Sequence, residues 1–145
     1  MLERWDMTLD MKRRIPYAAA AGFLGAAVLA LTAAPAFAKG AMDITVPTHP
    51  VRTGRLVHIS GKGDDDAARF LRACVQERDG DHGAWHTAGC GAVMTSGAGA
   101  RVAADVRPRH GGVLQLRGVL YGLSERDDSH PEELRSSPVT TVPVR

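Results

Sequence analysis

Three consecutive basic residues, Lys12-Arg13-Arg14, stand directly before a run from Ile15 to Leu31 that carries no charge and is dominated by Ala, Leu, Gly and Val. A positive start, an apolar stretch and then a small-residue triplet is the layout of a secretory signal peptide. Pro35 stops the helix that such a stretch forms, and Ala36-Phe37-Ala38 suits the narrow pocket of a signal peptidase. The expectation is an N-terminal signal helix within residues 1–38, cleaved before Lys39, with residues 1–10 an over-long start ahead of Met11. Retention as an uncleaved anchor is the alternative, because the apolar run falls just short of the roughly 20 residues that cross a bilayer. Pro16 and the cleavage triplet weigh against that. No Cys follows the run to accept a lipid, and Ile15-Pro16-Tyr17 departs from a twin-arginine signal.

Removing such a leader fixes both the size and the compartment of what remains. Residues 39–145 are enough for one core and too few for two, so a single domain is expected there. They hold 14 Lys and Arg against 13 Asp and Glu. A balance so close to neutral gives no electrostatic case for nucleic acid or for an acidic membrane, and leaves membrane contact to the leader alone, if uncleaved. Export leads to a secreted, extracellular or cell-envelope location, where thiols oxidise. Cys74 and Cys90 are the only cysteines, and they are expected to pair, stabilising the fold by about 3 kcal/mol on the chain-entropy model. Two free thiols or half of a metal site is the alternative. Zinc sites draw on closely spaced pairs such as C-x₂-C, which neither cysteine has.

No stretch of residues 39–145 keeps a helical period, whereas short β-type runs recur between turn residues. Strands are expected at Met42–Val46, Arg55–Ser60, Phe70–Glu77, Ala84–Thr87, Ala100–Val106, Val113–Leu120 and Pro138–Val144. Pro47 and Pro50 suit an edge. Gly61–Asp66 reads as a loop, Arg78–Gly83 as a hairpin turn, and Ser124–Ser137 as a long polar loop. Leu114, Leu116, Gly118 and Leu120 share one face of their strand, with Gln115 and Arg117 on the other. The fold class is all-β, an immunoglobulin-like β-sandwich of about seven strands.

A strand ending in a Gly-rich loop leads to a strand whose hairpin carries a lone Trp. Then come Gly-Gly-Val-Leu-Gln-Leu-Arg-Gly-Val-Leu and a closing Ser-Ser-Pro-Val-Thr-Thr-Val-Pro-Val. This order, over Val51–Val144, resembles the bacterial immunoglobulin-like or fibronectin-like modules of secreted proteins. Such modules often place a Tyr where Leu114 or Leu116 stands, so the loop anchor its hydroxyl provides is absent or replaced here. A weaker likeness is to the small exported apoproteins that hold an enediyne chromophore; those carry two disulfides where this chain can form one.

Few residues suggest chemistry. Asp64-Asp65-Asp66 could offer oxygens to calcium, which takes roughly six to eight of them. If the last long loop emerges at the same end, Glu125, Asp127 and Asp128 could face them, making Asp64, Asp66, Asp127 and Asp128 the candidate ligands; solvated loop charge is the plain alternative. His82 and His86 have i, i+4 spacing but bracket a turn, and the remaining histidines form no constellation. Trp85 is either a core residue beside the disulfide or an exposed ligand-stacking residue. Arg69, Arg72, Arg78, Arg101, Arg107, Arg109 and Arg117 could cluster as an anion-binding stripe, with nearby carboxylates neutralising much of it. No G-x-S-x-G or H-E-x-x-H occurs, and Ser60, Ser96 and Ser124 have no base that sequence can assign. A non-catalytic protein is expected, binding an unknown protein, glycan or small molecule, or serving as an envelope accessory. A small-ligand apoprotein and a small secreted enzyme or inhibitor are the alternatives.

Overall fold

The computed structural model describes residues 40–145; the leader expected over residues 1–38 lies outside the described residues. Every described element is a strand: β1 (Ala41–Thr45), β2 (Val57–Asp64), β3 (Phe70–Asp79), β4 (His86–Cys90), β5 (Met94–Thr95), β6 (Ala100–Val106), β7 (Gly112–Leu123), β8 (Glu132–Ser136) and β9 (Thr140–Val144). They form two antiparallel sheets, a three-stranded one in the order β1-β2-β6 and a six-stranded one. In the larger sheet β3 and β7 pair along ten residues at the centre. Both edges of that sheet are broken: β4 and β5 lie in succession along β3, and β8 and β9 in succession along β7.

The nine strands therefore occupy seven strand positions, which is how the expected count meets the observed one. The chain crosses between sheets after β2, β5 and β6, and this Greek-key course makes the fold an immunoglobulin-like sandwich.

Period-two sequence decides what each strand buries. In β6 Ala100, Val102, Ala104 and Val106 are buried while Arg101, Ala103 and Asp105 are exposed. They meet Val57 and Ile59 of β2 and, across the sandwich, Leu71, Ala73, Val75, Leu114, Leu116 and Leu120. Full burial of each large aliphatic side chain stabilises by about 1.5–3 kcal/mol relative to exposure. At one side the sheets come close enough that β4 rests on β6. A Cβ on Gly91 would overlap the Arg101 carbonyl, so no larger residue fits there.

Two expected loops are strands. Gly61–Asp66 reads as a loop by composition, but β2 runs on to Asp64, hydrogen-bonded to β1 on one side and β6 on the other. The glycines serve packing: a Cβ on Gly63 would come within 2.8 Å of Met42 Sδ. Likewise the expected loop Ser124–Ser137 contains β8, an edge strand that leaves only Leu134 partly buried and so lacks the apolar alternation that betrays a strand. The chain after Pro50 covers the far edge of β9, where Val51 N–H donates to Pro143 O at 3.0 Å and Arg145 N–H to Val51 O at 2.9 Å. A covered edge offers no template for another chain.

Candidate functional site

Cys74 and Cys90 stand directly opposite each other on β3 and β4 and are bridged, with Cα atoms 4.0 Å apart. The bridge lies within one sheet and does not tie the two sheets together. Cys74 alternates with the inward residues Ala73 and Val75, so it opens the outer face of the large sheet. That face is where the polar chemistry collects.

Alternation puts Arg72, Cys74, Gln76 and Arg78 of β3 on this outer face, opposite Tyr121, Val119, Arg117 and Gln115 of β7. Trp85 enters from the turn before β4. It is half-buried there and outside the core, so of the two readings of Trp85 the core one does not hold. The aliphatic core is filled without it. Arg78 and Arg117 each place their guanidinium carbon 4.5 Å from the indole centroid, within cation–π range.

Both guanidiniums are also held from the side. Arg78 Nε donates to Gln115 Oε1 at 2.6 Å, and Gln115 Nε2 donates to Asp81 Oδ1 at 2.7 Å. Arg117 Nε donates to Gln76 Oε1 at 2.9 Å, and Gln76 Nε2 donates to Tyr121 Oη at 3.1 Å. The result is a continuous ladder from Asp81 to Tyr121 with Trp85 at its middle. Burial raises the Tyr121 hydroxyl above its usual pKa, helped by the Glu133 carboxylate, so it stays neutral and can serve as acceptor for Gln76.

Beside this face, at the end of the sandwich, a cleft of about 410 Å³ is lined by Arg78, Glu77, His86, Arg107 and Arg109, among others. Glu77 has the inward parity of the core but sits where the core gives out. Burial, and then the charge of Asp79, raise its carboxyl above the usual carboxylate range, while His86 and Arg109 pull the other way. Asp79 lies 3.9 Å from His110 across the exposed rim.

The expected calcium ligands do not gather. Among the described residues no three His, Cys, Asp or Glu side chains converge on a metal position. Asp64 Oδ1 instead accepts the amides of Asp65 and Gly97, each at 3.0 Å. Asp65, the buried member of the trio, bonds Arg135 Nε through Oδ2 at 2.7 Å and the Ala67 amide through Oδ1 at 2.8 Å. The Arg135 hydrogen bond first, and the Ala67 amide second, hold its carboxyl below the usual range. Asp128 closes its own loop, accepting from the His130 amide at 2.9 Å and the Ser124 hydroxyl at 2.8 Å, which in that order lower its carboxyl too.

That loop does bring Ser124, Asp128 and His130 together, but as a turn. Ser124 bonds the carboxylate directly, and the His130 ring bonds the neighbouring Ser129 hydroxyl at 2.9 Å, so the imidazole does not link serine to carboxylate. The seven arginines of the expected stripe are likewise dispersed. Arg72, Arg78 and Arg117 share the outer face, Arg69 stacks on Phe70, Arg107 and Arg109 line the cleft, and Arg101 lies on the other sheet.

Sequence reasoning missed the contact of Trp85 with both Arg78 and Arg117, although the alternation of Gln76 with Arg78 and of Gln115 with Arg117 carried its signal. Nothing in the sequence pointed to Arg135 as the partner of Asp65.

Fold and face together define a class, a disulfide-bridged immunoglobulin-like sandwich with a polar, aromatic outer surface. No family model and no curated protein sequence matches the chain. Among solved structures it is similar to the CARDB domain of a Pyrococcus furiosus protein, solved in complex with di-metal ions. That likeness has a TM-score of 0.49 at 10% identity, covering 74% of this chain and 88% of that one. It is also similar to part of a beta-glucosidase from Listeria innocua, solved with isofagomine, with a TM-score of 0.47 at 10% identity over 73% of this chain and 16% of the enzyme. Likenesses this distant carry nothing about function, and the fold assignment rests on the strand order itself. Among the described residues no helix is long and apolar enough to cross a membrane.

Proposed function

We propose that this chain is an exported, non-catalytic β-sandwich that acts by binding, with the outer face of its larger sheet as the binding surface. The signal-like leader and the Cys74–Cys90 bridge support export, since such a bridge persists in an oxidising compartment. The observation that carries the binding role is Trp85. A large aromatic that the core does not need is held on the outside of a rigid sheet by two arginines. Tryptophan and arginine are the residue types most enriched where binding energy concentrates.

The test is Trp85→Ala in the purified protein, run through native gels containing neutral or acidic polysaccharides. We expect the wild type to be retarded by at least one polymer and the variant to lose that retardation. Its stability should fall by less than about 2 kcal/mol, the sum of two cation–π contacts. Loss of folding in the variant, or free migration of the wild type in every gel, would return Trp85 to a purely structural role.

A further inference from the structure

Arg78 and Arg117 are two cations on one indole, and among the described residues neither has a carboxylate within ion-pair distance. The residues from 39 onward carry almost as many acids as bases, so partners are not scarce. Asp81, the carboxylate at the end of the ladder, accepts from Gln115. Glu133 faces Tyr121. Each arginine spends its Nε on a glutamine and holds its guanidinium carbon over the Trp85 ring, two contacts that restrain it, while its Nη donors take no bond among the described residues. Planar, immobilised guanidiniums with free donor edges match the geometry of an oxyanion, and their mutual repulsion is relieved when one binds.

Arg78 also lines the end cleft, which adds Arg107 and Arg109 as a second station of guanidiniums, offset in formal charge by Glu77 and Asp79. Arg107 Nη1 is tied to Gly54 O at 2.9 Å. Two stations on an open surface suit a chain that carries repeated oxyanions better than one small ion, which stays solvated on such a surface and is screened by salt. Between acidic polymers, nucleic acid gains much of its hold on single-strand sites by stacking bases on aromatic rings. Here the indole already stacks the two guanidiniums. We therefore infer that Arg78 and Arg117, oriented by Trp85 and continued by Arg107 and Arg109, form a binding site for an acidic polysaccharide bearing carboxylate or sulfate groups. This rests on the outer face being the binding surface.

The experiment titrates the purified wild type, reading Trp emission, with dextran, carboxymethyl-dextran and dextran sulfate, which share a backbone and differ only in oxyanion. A single-stranded DNA of matched charge is the fourth probe. Binding to the two acidic dextrans, weakening as salt rises, with none to dextran, is the expected result. Arg78→Gln/Arg117→Gln should weaken it at least tenfold while the sheet circular dichroism shows the fold retained, whereas Arg101→Gln, on the other sheet, should not. Equal binding of neutral dextran, lost in Trp85→Ala, would keep the binding face and overturn its acidic ligand. An equal loss in Arg101→Gln, or tighter binding of the DNA, would overturn the inference too. Silence toward all four probes would overturn both it and the function proposed above.

Discussion

Along the same two strands, β3 and β7, the inner face holds Leu71, Ala73, Val75, Leu114, Leu116 and Leu120, while the outer face holds a disulfide and a ladder of arginine, glutamine, tryptophan and tyrosine. The inner residues are interchangeable in kind, since any well-packed aliphatic of the right volume serves. The outer ones are specific, because each bond requires a particular donor and acceptor. The difference teaches that the apolar packing and the polar, aromatic ladder are separated here by a side-chain alternation of one residue. It also makes the two faces separable by mutation.

The strongest test of that separation is Leu116→Ala, which removes a side chain with no exposure from the centre of the inner face. A loss of about 2–5 kcal/mol is expected in chemical denaturation. A loss below about 1 kcal/mol would show that the inner face is not what holds the sandwich. Reduction of Cys74–Cys90 on the outer face comes next, at about 3 kcal/mol or less. The bridge links strands that are already hydrogen-bonded neighbours, so the reduced, thiol-blocked protein should melt lower yet keep its sheet circular dichroism. A chain that unfolds at room temperature on reduction would make the outer face as structural as the inner.

The smallest effect is expected at Glu77, the residue where the inner face runs into charge. Its folded carboxyl titrates above its unfolded value, so the folded state binds a proton more tightly and is stabilised where Glu77 is protonated. That stability is lost as pH rises through the raised folded value. Glu77→Gln should therefore flatten the fall in melting temperature between acid and neutral pH, and should melt slightly higher than wild type at neutral pH. An unchanged pH profile would remove Glu77 from the boundary between the faces.

The sequence made the fold legible wherever alternation was clean. Ala100–Val106 and the leucines of β7 announce strands because one face is apolar and the other polar. It was opaque where a strand is used differently. Gly61 and Gly63 of β2 signal a turn by composition but are there because β1 packs too close for a side chain. Glu132–Ser136 is an edge whose polar residues leave no pattern to read. The candidate site was half legible: Cys74–Cys90 followed from compartment and number, and the arginines were counted, but their distribution depends on which residues cross-strand register brings opposite one another. Asp65 looked like one carboxylate of three, and only its burial against Arg135 sets it apart.

Trp85 contacts an arginine from β3 and one from β7, and the glutamine bond to Tyr121 that supports the arrangement spans 45 residues of sequence. No unfolded chain holds those pieces together. A ligand on the proposed binding face would therefore bind the folded form alone, and occupancy and folding would become one linked equilibrium. A ligand at 100 times its dissociation constant adds about 2.7 kcal/mol to the unfolding free energy, comparable to the bridge itself. Where such a ligand is abundant, this small sandwich would be held folded partly by what it holds.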